Sequence, residues 1–298
     1  MEKLSLTILA AGWGARYGGL KQVAGFGPNG ECLIHYSIYD AYQAGIKDVW
    51  IVIREEITHE IKNALSQLRL PDLKLNFVYQ RTDDLPAGSS KLERHKPWGT
   101  AHALYSLRNK LNNSFIMINA DDYYSPQSFQ ILAKALGQNK SANQYQMISY
   151  KLKQCLSTNG GVSRGICETK EGKLINIKET HQLKLSRDNI IRDKDNNIYS
   201  GDEEVSMNCW GFTQMIFNDL ETEFIKFLNS NKDLKIAEFI LPKVVMNQIL
   251  KGKIQVDTHL SNETPFGATY IADKELIKNT LYSLHQSGLY PKTLLKIA

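Results

Sequence analysis

Two short stretches of this chain gather residue types that do chemistry on phosphates. The first is LAAGWGARYGGLKQ, residues 9–22. It holds Gly12, Gly14, Gly18 and Gly19 beside the small Ala10 and Ala11, with two long cations, Arg16 and Lys21, among them. A glycine-rich turn after a strand lets backbone N–H groups point at an anion, and glycine permits close approach. Arg16 and Lys21 add the charge needed to neutralise a triphosphate. The spacing is not that of a Walker A loop. It is not the dinucleotide fingerprint either, because Tyr17 stands where the third glycine would be. A tight turn with solvated charges is the competing reading.

The second stretch is NADDYY, residues 119–124, where Asp121 and Asp122 follow an apolar run. Mg2+ takes one or two carboxylates together with substrate phosphate oxygens. Capping of a helix that begins near Pro126, by Asp122 or Ser125, accounts for one acidic residue but not for two.

The elements that must position these residues are legible from hydrophobic periodicity. LSLTIL (4–9), DVWIVI (48–53), LKLNFVY (73–79) and SFIMIN (114–119) read as buried strands. Helical spacing follows in LIHYSIYDAYQAG, closed by Gly45, in ITHEIKNALSQL (57–68) and in GTAHALYSLRNKL (99–111). Strands alternating with helices predict βαβ units: an α/β fold with a Rossmann-like mixed, mainly parallel sheet flanked by helices. Ligands of such sheets bind at the carboxyl ends of the strands. Both chemical stretches leave a predicted strand at that end.

Beyond about residue 145 the pattern changes. QMISYKL, SRGICET, LINIKET and VSMNCWGFT read as strands with few helices between them, and 183–202 as a polar hairpin or surface loop. Helices return at IFNDLETEFIKFLNS, IAEFILPKVVMNQILKG and DKELIKNTLYSLHQSG, with a late strand at KIQVDTHL. The chain is expected to form a single domain over 1–298, with 1–145 as its nucleotide-binding part. Residues 146–298 then hold a β-rich sugar-phosphate-binding insertion and the C-terminal helices.

Bulk properties narrow the class. The chain has 298 residues, 42% hydrophobic and 22% charged, which suits a globular protein. A net charge of +5, spread along the chain, fits a small anionic substrate and is too diffuse for nucleic acid. Cys32, Cys155, Cys167 and Cys209 form no C-x-x-C pair and read as reduced thiols. The first apolar run is too short for a signal peptide or a membrane span, so a cytoplasmic protein without membrane contact is expected.

Taken together, the motifs resemble the nucleotidyltransferases that join a nucleoside triphosphate to a sugar 1-phosphate and release pyrophosphate, such as glucose-1-phosphate uridylyl- and thymidylyltransferases. That family begins with a strand, L-A-A-G-x-G-x-R and a Lys about five residues on, matched by Gly12, Gly14, Arg16 and Lys21. Its base-edge Gln and G-T-A-H-A are matched by Gln80 and residues 99–103, and its metal-binding Asp by Asp121. On the sugar side, NGGVSRG (159–165), Glu179 and NCWGF (208–212) occupy the family's places in order.

The resemblance implies roles. Ala11, Gly12, Gly14 and Arg16 would hold the outer phosphates, with Lys21 at the α-phosphate. Gln80, Gly99 and Thr100 would read the base. Asp121 would bind Mg2+, with Asp122 as a further ligand, and Gly161, Glu179 and Asn208 would hold the sugar. UTP is the preferred nucleotide because the residues at the base edge are small. The expected partners are thus a nucleoside triphosphate, a sugar 1-phosphate and Mg2+, and the chain is compatible with a homo-oligomer.

There are departures. The family's second metal-binding Asp comes from a late strand, where FGATYIADK (266–274) places Thr269, with Asp257 and Asp273 nearby. The Lys that follows the sugar-site Glu is Thr180 here. The segment 81–98 is longer than the family's link and reads either as a lid or as a solvated loop. These departures leave two alternatives open: a cytidylyltransferase for phosphocholine or another non-sugar phosphate, and a nucleotide-sugar-binding, glycosyltransferase-like protein. His35, His59 and His102 form no H-x-x-x-H pair and read as packed or surface residues, while His95 and His181 sit near the site segments. Trp98 and Trp210 flank site motifs; core packing is the commoner use of such residues.

Overall fold

The computed structural model describes residues 3–12, 19–90, 93–186 and 188–296. Its first half runs β1 (Ser5–Leu9), α1 (Leu33–Gln43), β2 (Asp48–Ile53), α2 (Thr58–Leu65), β3 (Lys74–Tyr79), α3 (Thr100–Tyr105) and β4 (Phe115–Asn119). These strands lie in the order β3-β2-β1-β4, all parallel. β1 is buried along its whole length and β4 in all but its last residue, as strands covered on both faces must be. Leu6, Ile8, Ile116 and Ile118 face one core. Leu9, Phe115 and Met117 face the other.

The chain continues through β5 (Asp122–Tyr123), α4 (Pro126–Gly137), β6 (Gln144–Lys151), β7 (Val162–Lys170), β8 (Lys173–Leu185), β9 (Ile191–Arg192) and β10 (Ile198–Tyr199). It ends with β11 (Glu204–Phe212), α5 (Ile216–Ser230), α6 (Leu241–Leu250), β12 (Gln255–Leu260), β13 (Phe266–Gly267) and α7 (Lys274–Gln286). β11 extends the sheet by pairing antiparallel with β4. From there β11, β6, β12, β8 and β7 pair in sequence, and β7 returns to β11, so the second half curls into a closed ring. The sheet is therefore mixed: parallel around β1, largely antiparallel in the ring. No helix among the described residues is long and apolar enough to cross a membrane.

Three expectations shift on inspection. α3 ends at Tyr105 rather than near 111, because the chain tightens into i→i+3 turns, with Leu107 N–H on Leu104 O and Arg108 N–H on Tyr105 O. The helix expected from 236 begins only at Leu241. Pro242 fits its first turn, and Phe239 spends its backbone on Trp98 O and the Ala101 N–H. β5 and β13 form a small second sheet that the sequence pattern did not announce.

Residues 81–90 and 93–98 include several that are tied into the fold. Arg94 is 5% exposed. Its guanidinium donates to the carbonyls of Lys96 (2.6 Å), Pro97 (2.9 Å), Ala237 (2.9 Å) and Leu234. It also sits 4.1 Å above the Trp98 ring. Asp84 accepts a two-pronged pair from Arg108 at 2.7 and 3.0 Å. Trp98 is fully buried, with its indole N–H on Thr82 O, and Trp210 is buried as well, so both tryptophans are core. The four cysteines are buried free thiols.

Arg94→Ala strands several buried carbonyls at once. It should lower the unfolding free energy by about 3 kcal/mol. Urea denaturation measures this, and an unchanged midpoint would show that Arg94 does not anchor the segment.

Candidate functional site

Parallel register sets the site. Leu9 pairs with Asn119, and Ala120 N–H bonds Leu9 O at 3.1 Å. The glycine-rich loop and the Asp pair therefore leave the sheet side by side, where β1 feeds β2 on one side and meets β4 on the other. Lys21, in a short 3-10 turn, crosses this gap and ion-pairs with Asp121. Gln22 is buried and pins the loop entry, donating to Gly12 O at 2.8 Å. Arg54 Nε donates to Ala11 O.

A cleft of about 560 Å³ opens here, and Ala11, Gly12, Lys21, Gln80, Gly99, Thr100, Asp121 and Asn208 all line it. Gly14 and Arg16 lie outside the described residues. Lys96 and Glu238, an ion pair at 2.7 Å, stand on the same wall.

The residues expected at the base edge have a fixed polarity. Gln80 Nε2 lies 3.0 Å from Gly99 O, which can only accept, so this nitrogen is the donor. The same Nε2 lies 3.2 Å from His102 Nδ1, and His102 Nε2 lies 2.8 Å from Asp84 O. The carbonyl forces the proton onto His102 Nε2 and leaves Nδ1 to accept from Gln80. Both amide protons of Gln80 are thereby used, and its Oε1 is the polar atom left to the cleft. Gly99 holds φ +114°, and a Cβ there would meet Phe239 O at 2.7 Å, so only glycine fits this helix entry. Thr100 Oγ1 accepts from Leu241 N–H at 3.0 Å.

A smaller polar cavity of about 90 Å³ adjoins the cleft, lined by Asp122, Arg164, Glu179 and Asn208 among others. Asn119 and Asn208 line both spaces. Asn208 sits at φ +61° inside a register shift of β11 between Ser206 and Trp210. Bulges of this kind re-aim a side chain beside an active site.

Asp122 does not cap the following helix. It accepts from Asn119 Nδ2 at 2.9 Å and from Tyr124 Oη at 3.3 Å. Ser125, the residue before α4, makes no side-chain cap either. Burial first, then the neighbouring charge of Asp121, raises the Asp122 carboxyl to about 6, and burial also raises Glu179. Gly161 stands outside both linings. Its carbonyl accepts from Tyr270 Oη at 2.6 Å, and a Cβ there would strike Gln182.

The donor chemistry fits Mg2+. Among the described residues no three His, Cys, Asp or Glu side chains gather. A hard cation completed by substrate phosphates needs only one or two carboxylates. Asp121 and Asp122 are adjacent, and both line the spaces described above, Asp121 the cleft and Asp122 the smaller cavity. The late segment does arrive beside them: Ala268 N–H bonds Asp121 O at 3.0 Å. It brings no carboxylate. Asp257 is bonded to Gln144 and Gln255, and Asp273 to Ser157, Asn159 and the Tyr270 N–H. Gly267 leaves room instead, since a Cβ there would lie 2.0 Å from Asp122 Oδ1.

Sequence reasoning missed Asn119, Gln22, Arg164 and the use of His102. Asn119 was readable as the polar residue directly before the Asp pair. The others act through partners distant in the chain. His35 is packed, with Nδ1 accepting from Cys32 N–H and Nε2 on Ala64 O, while His59 is exposed.

Residues 8–180 match the family model for nucleotidyl transferases. Among solved structures, a protein described as a glucose-1-phosphate thymidylyltransferase from Bacillus anthracis, in complex with a sucrose, is similar. It has a TM-score of 0.64 at 13% identity, over 93% of this chain and 95% of that one. The inositol-1-phosphate CTP transferase from T. maritima is similar with a TM-score of 0.61 at 14% identity, over the same shares. Searching curated proteins by sequence finds no match.

Burial lowers His102 and His35 to about 4 from the ordinary 6.5. A neutral buried histidine stabilises the fold above pH 6.5, and that contribution is lost as pH falls toward 4, where the unfolded chain takes up the proton. Each is worth about 3 kcal/mol. The stability advantage of wild type over His102→Gln should therefore shrink by about 3 kcal/mol between pH 7 and pH 4. Denaturant unfolding across this range is the check, and a pH-independent difference would contradict a neutral His102.

Proposed function

The chain belongs to the nucleotidyl transferase family, and on that premise we propose that it transfers the nucleotidyl group of UTP to a sugar 1-phosphate, releasing pyrophosphate. The observation that carries this reading is the shared wall. One cleft collects Lys21, Gln80, Gly99 and Asp121, and the cavity beside it meets that cleft at Asn119 and Asn208. Two substrates laid in the two spaces would face each other across those asparagines.

The acceptor is already an anion, so it needs no general base. Its phosphate oxygen attacks the α-phosphorus in line, the new P–O bond forms, and the bond to the β-phosphate breaks as pyrophosphate leaves. The protein's work is positioning and charge neutralisation. Backbone N–H groups of 11–15 and Arg16 hold the outer phosphates. Lys21 leaves Asp121 to take the α-phosphate, where negative charge builds in the transition state. Asp121 and Asp122 would hold Mg2+, which supplies further neutralisation of the triphosphate. Glu179 and Asn208 accept and donate to sugar hydroxyls. In this division, residues up to about 145 bind the nucleotide and the later ones the acceptor.

Gln80 supports the choice of base. Its Oε1 is an acceptor whose place is set by the bonds of Nε2 to Gly99 and His102. Uracil carries an N–H at N3, which suits it. Cytosine has an acceptor at N3 and would have to shift to offer its amino group. A site that leaves a polar group unpaired discriminates strongly.

Purified protein assayed for pyrophosphate release with Mg2+, four nucleoside triphosphates and a set of sugar 1-phosphates should favour UTP over CTP by tenfold or more in kcat/KM, equivalent to about 1.4 kcal/mol. Preference for CTP would overturn the base assignment, and no release with any pair would overturn the reaction. Lys21→Ala should keep its fold and lose more than tenfold in kcat, whereas undiminished turnover would remove Lys21 from the chemistry.

A further inference from the structure

The small cavity holds one cation among the described residues that line it, Arg164, and two carboxylates, Asp122 and Glu179. Arg164 stands on β7 opposite Thr180 of β8, so the two side chains leave the same face of the sheet. Thr180 is buried and neutral, with its hydroxyl on Lys178 O, so β8 adds no positive charge at that position.

Two of the three guanidinium nitrogens are fixed by backbone carbonyls. Nε donates to Cys155 O at 3.1 Å and Nη1 to Ser163 O at 2.9 Å. Nη2 donates to nothing among the described residues, and Arg164 makes no ion pair with Asp122 or Glu179, although its charge reaches both. An arginine that only balanced those carboxylates would sit against one of them in a forked pair. This one is held by two carbonyls, lines the cavity, and keeps Nη2 without a partner among the described residues.

A neutral sugar ring needs hydroxyl partners, and Glu179 and Asn208 supply them. It does not need a guanidinium. A phosphate does, and in this cavity it would otherwise face two carboxylates. We propose that Arg164 binds the phosphate of the acceptor and holds it at the Asn119–Asp122 border, toward the nucleotide cleft. This rests on the nucleotidyl-transfer reading above. Because two of its donors are already anchored, the arginine loses little freedom when the phosphate arrives, which favours binding and orientation together. The ligand class is a phosphomonoester on a small polyhydroxylated carrier.

The test is steady-state kinetics of Arg164→Gln, Arg164→Met and Arg164→Lys with a sugar 1-phosphate that the wild type uses, each variant first checked by thermal melting. The Gln and Met variants should raise the acceptor KM at least tenfold while the KM for the nucleoside triphosphate stays within about twofold. The Lys variant should fall between them and wild type. Calorimetric titration of wild type should show the sugar 1-phosphate binding at least tenfold more tightly than the same sugar without phosphate, and this preference should vanish in whichever of the Gln and Met variants folds. A lowered melting temperature with both KM values unchanged would assign Arg164 a structural role and overturn the proposal. An inactive wild type with every acceptor would instead overturn the nucleotidyl-transfer reading on which it stands.

Discussion

The parallel pairing of β1 with β4 is the constraint on which the rest depends. It places Leu9 beside Asn119, so that a loop built of small residues and cations and a strand end carrying two carboxylates share one edge of the sheet. Slipping β4 by one residue against β1 would turn Ile116 and Ile118 from one core toward the other and carry Asp121 away from Lys21. The hydrophobic burial of two central strands thus fixes the spacing of the charges. The Lys21–Asp121 ion pair reports that spacing directly.

In the proposed reaction, substrates would complete the charge at this edge. Asp121 has Lys21 as partner, but Asp122 relies on an asparagine and a tyrosine and keeps a raised carboxyl. Gly267 gives Asp122 its space, and the β5–β13 pairing brings that glycine there. Arg164 is drawn back by backbone carbonyls rather than spent on a carboxylate. Groups left short of partners in this way cost stability in the free protein and favour ligands that complete them.

Much of the frame was legible. DVWIVI and IFNDLETEFIKFLNS match β2 and α5 to the residue, because β2 is an apolar run buried at all but one residue and α5 buries one helical face. The Asp pair and the cations of the glycine-rich loop suggest phosphate chemistry by type and spacing, and the structure brings Lys21 and Asp121 together. What stayed hidden was set by tertiary partners. His102 reads from sequence as a packed histidine, and it is packed, yet its ring also settles which face Gln80 shows the cleft. Arg164 looks like any strand arginine until the ring of antiparallel strands places it opposite Thr180. Arg94 looks like a surface charge, and only the carbonyls of residues 234 and 237, far along the chain, reveal it as an anchor. β5 and β13 are too short to carry any period.

On the proposed reading, the edge shared by β1 and β4 receives a uridine triphosphate between Lys21 and Asp121. A crystal structure of the protein with a non-hydrolysable UTP analogue and Mg2+ tests it most directly. It should show Lys21 withdrawn from Asp121 onto a phosphate oxygen, with Gln80 Oε1 within hydrogen-bonding distance of the uracil N3–H. An intact Lys21–Asp121 ion pair with the nucleotide bound elsewhere would contradict it.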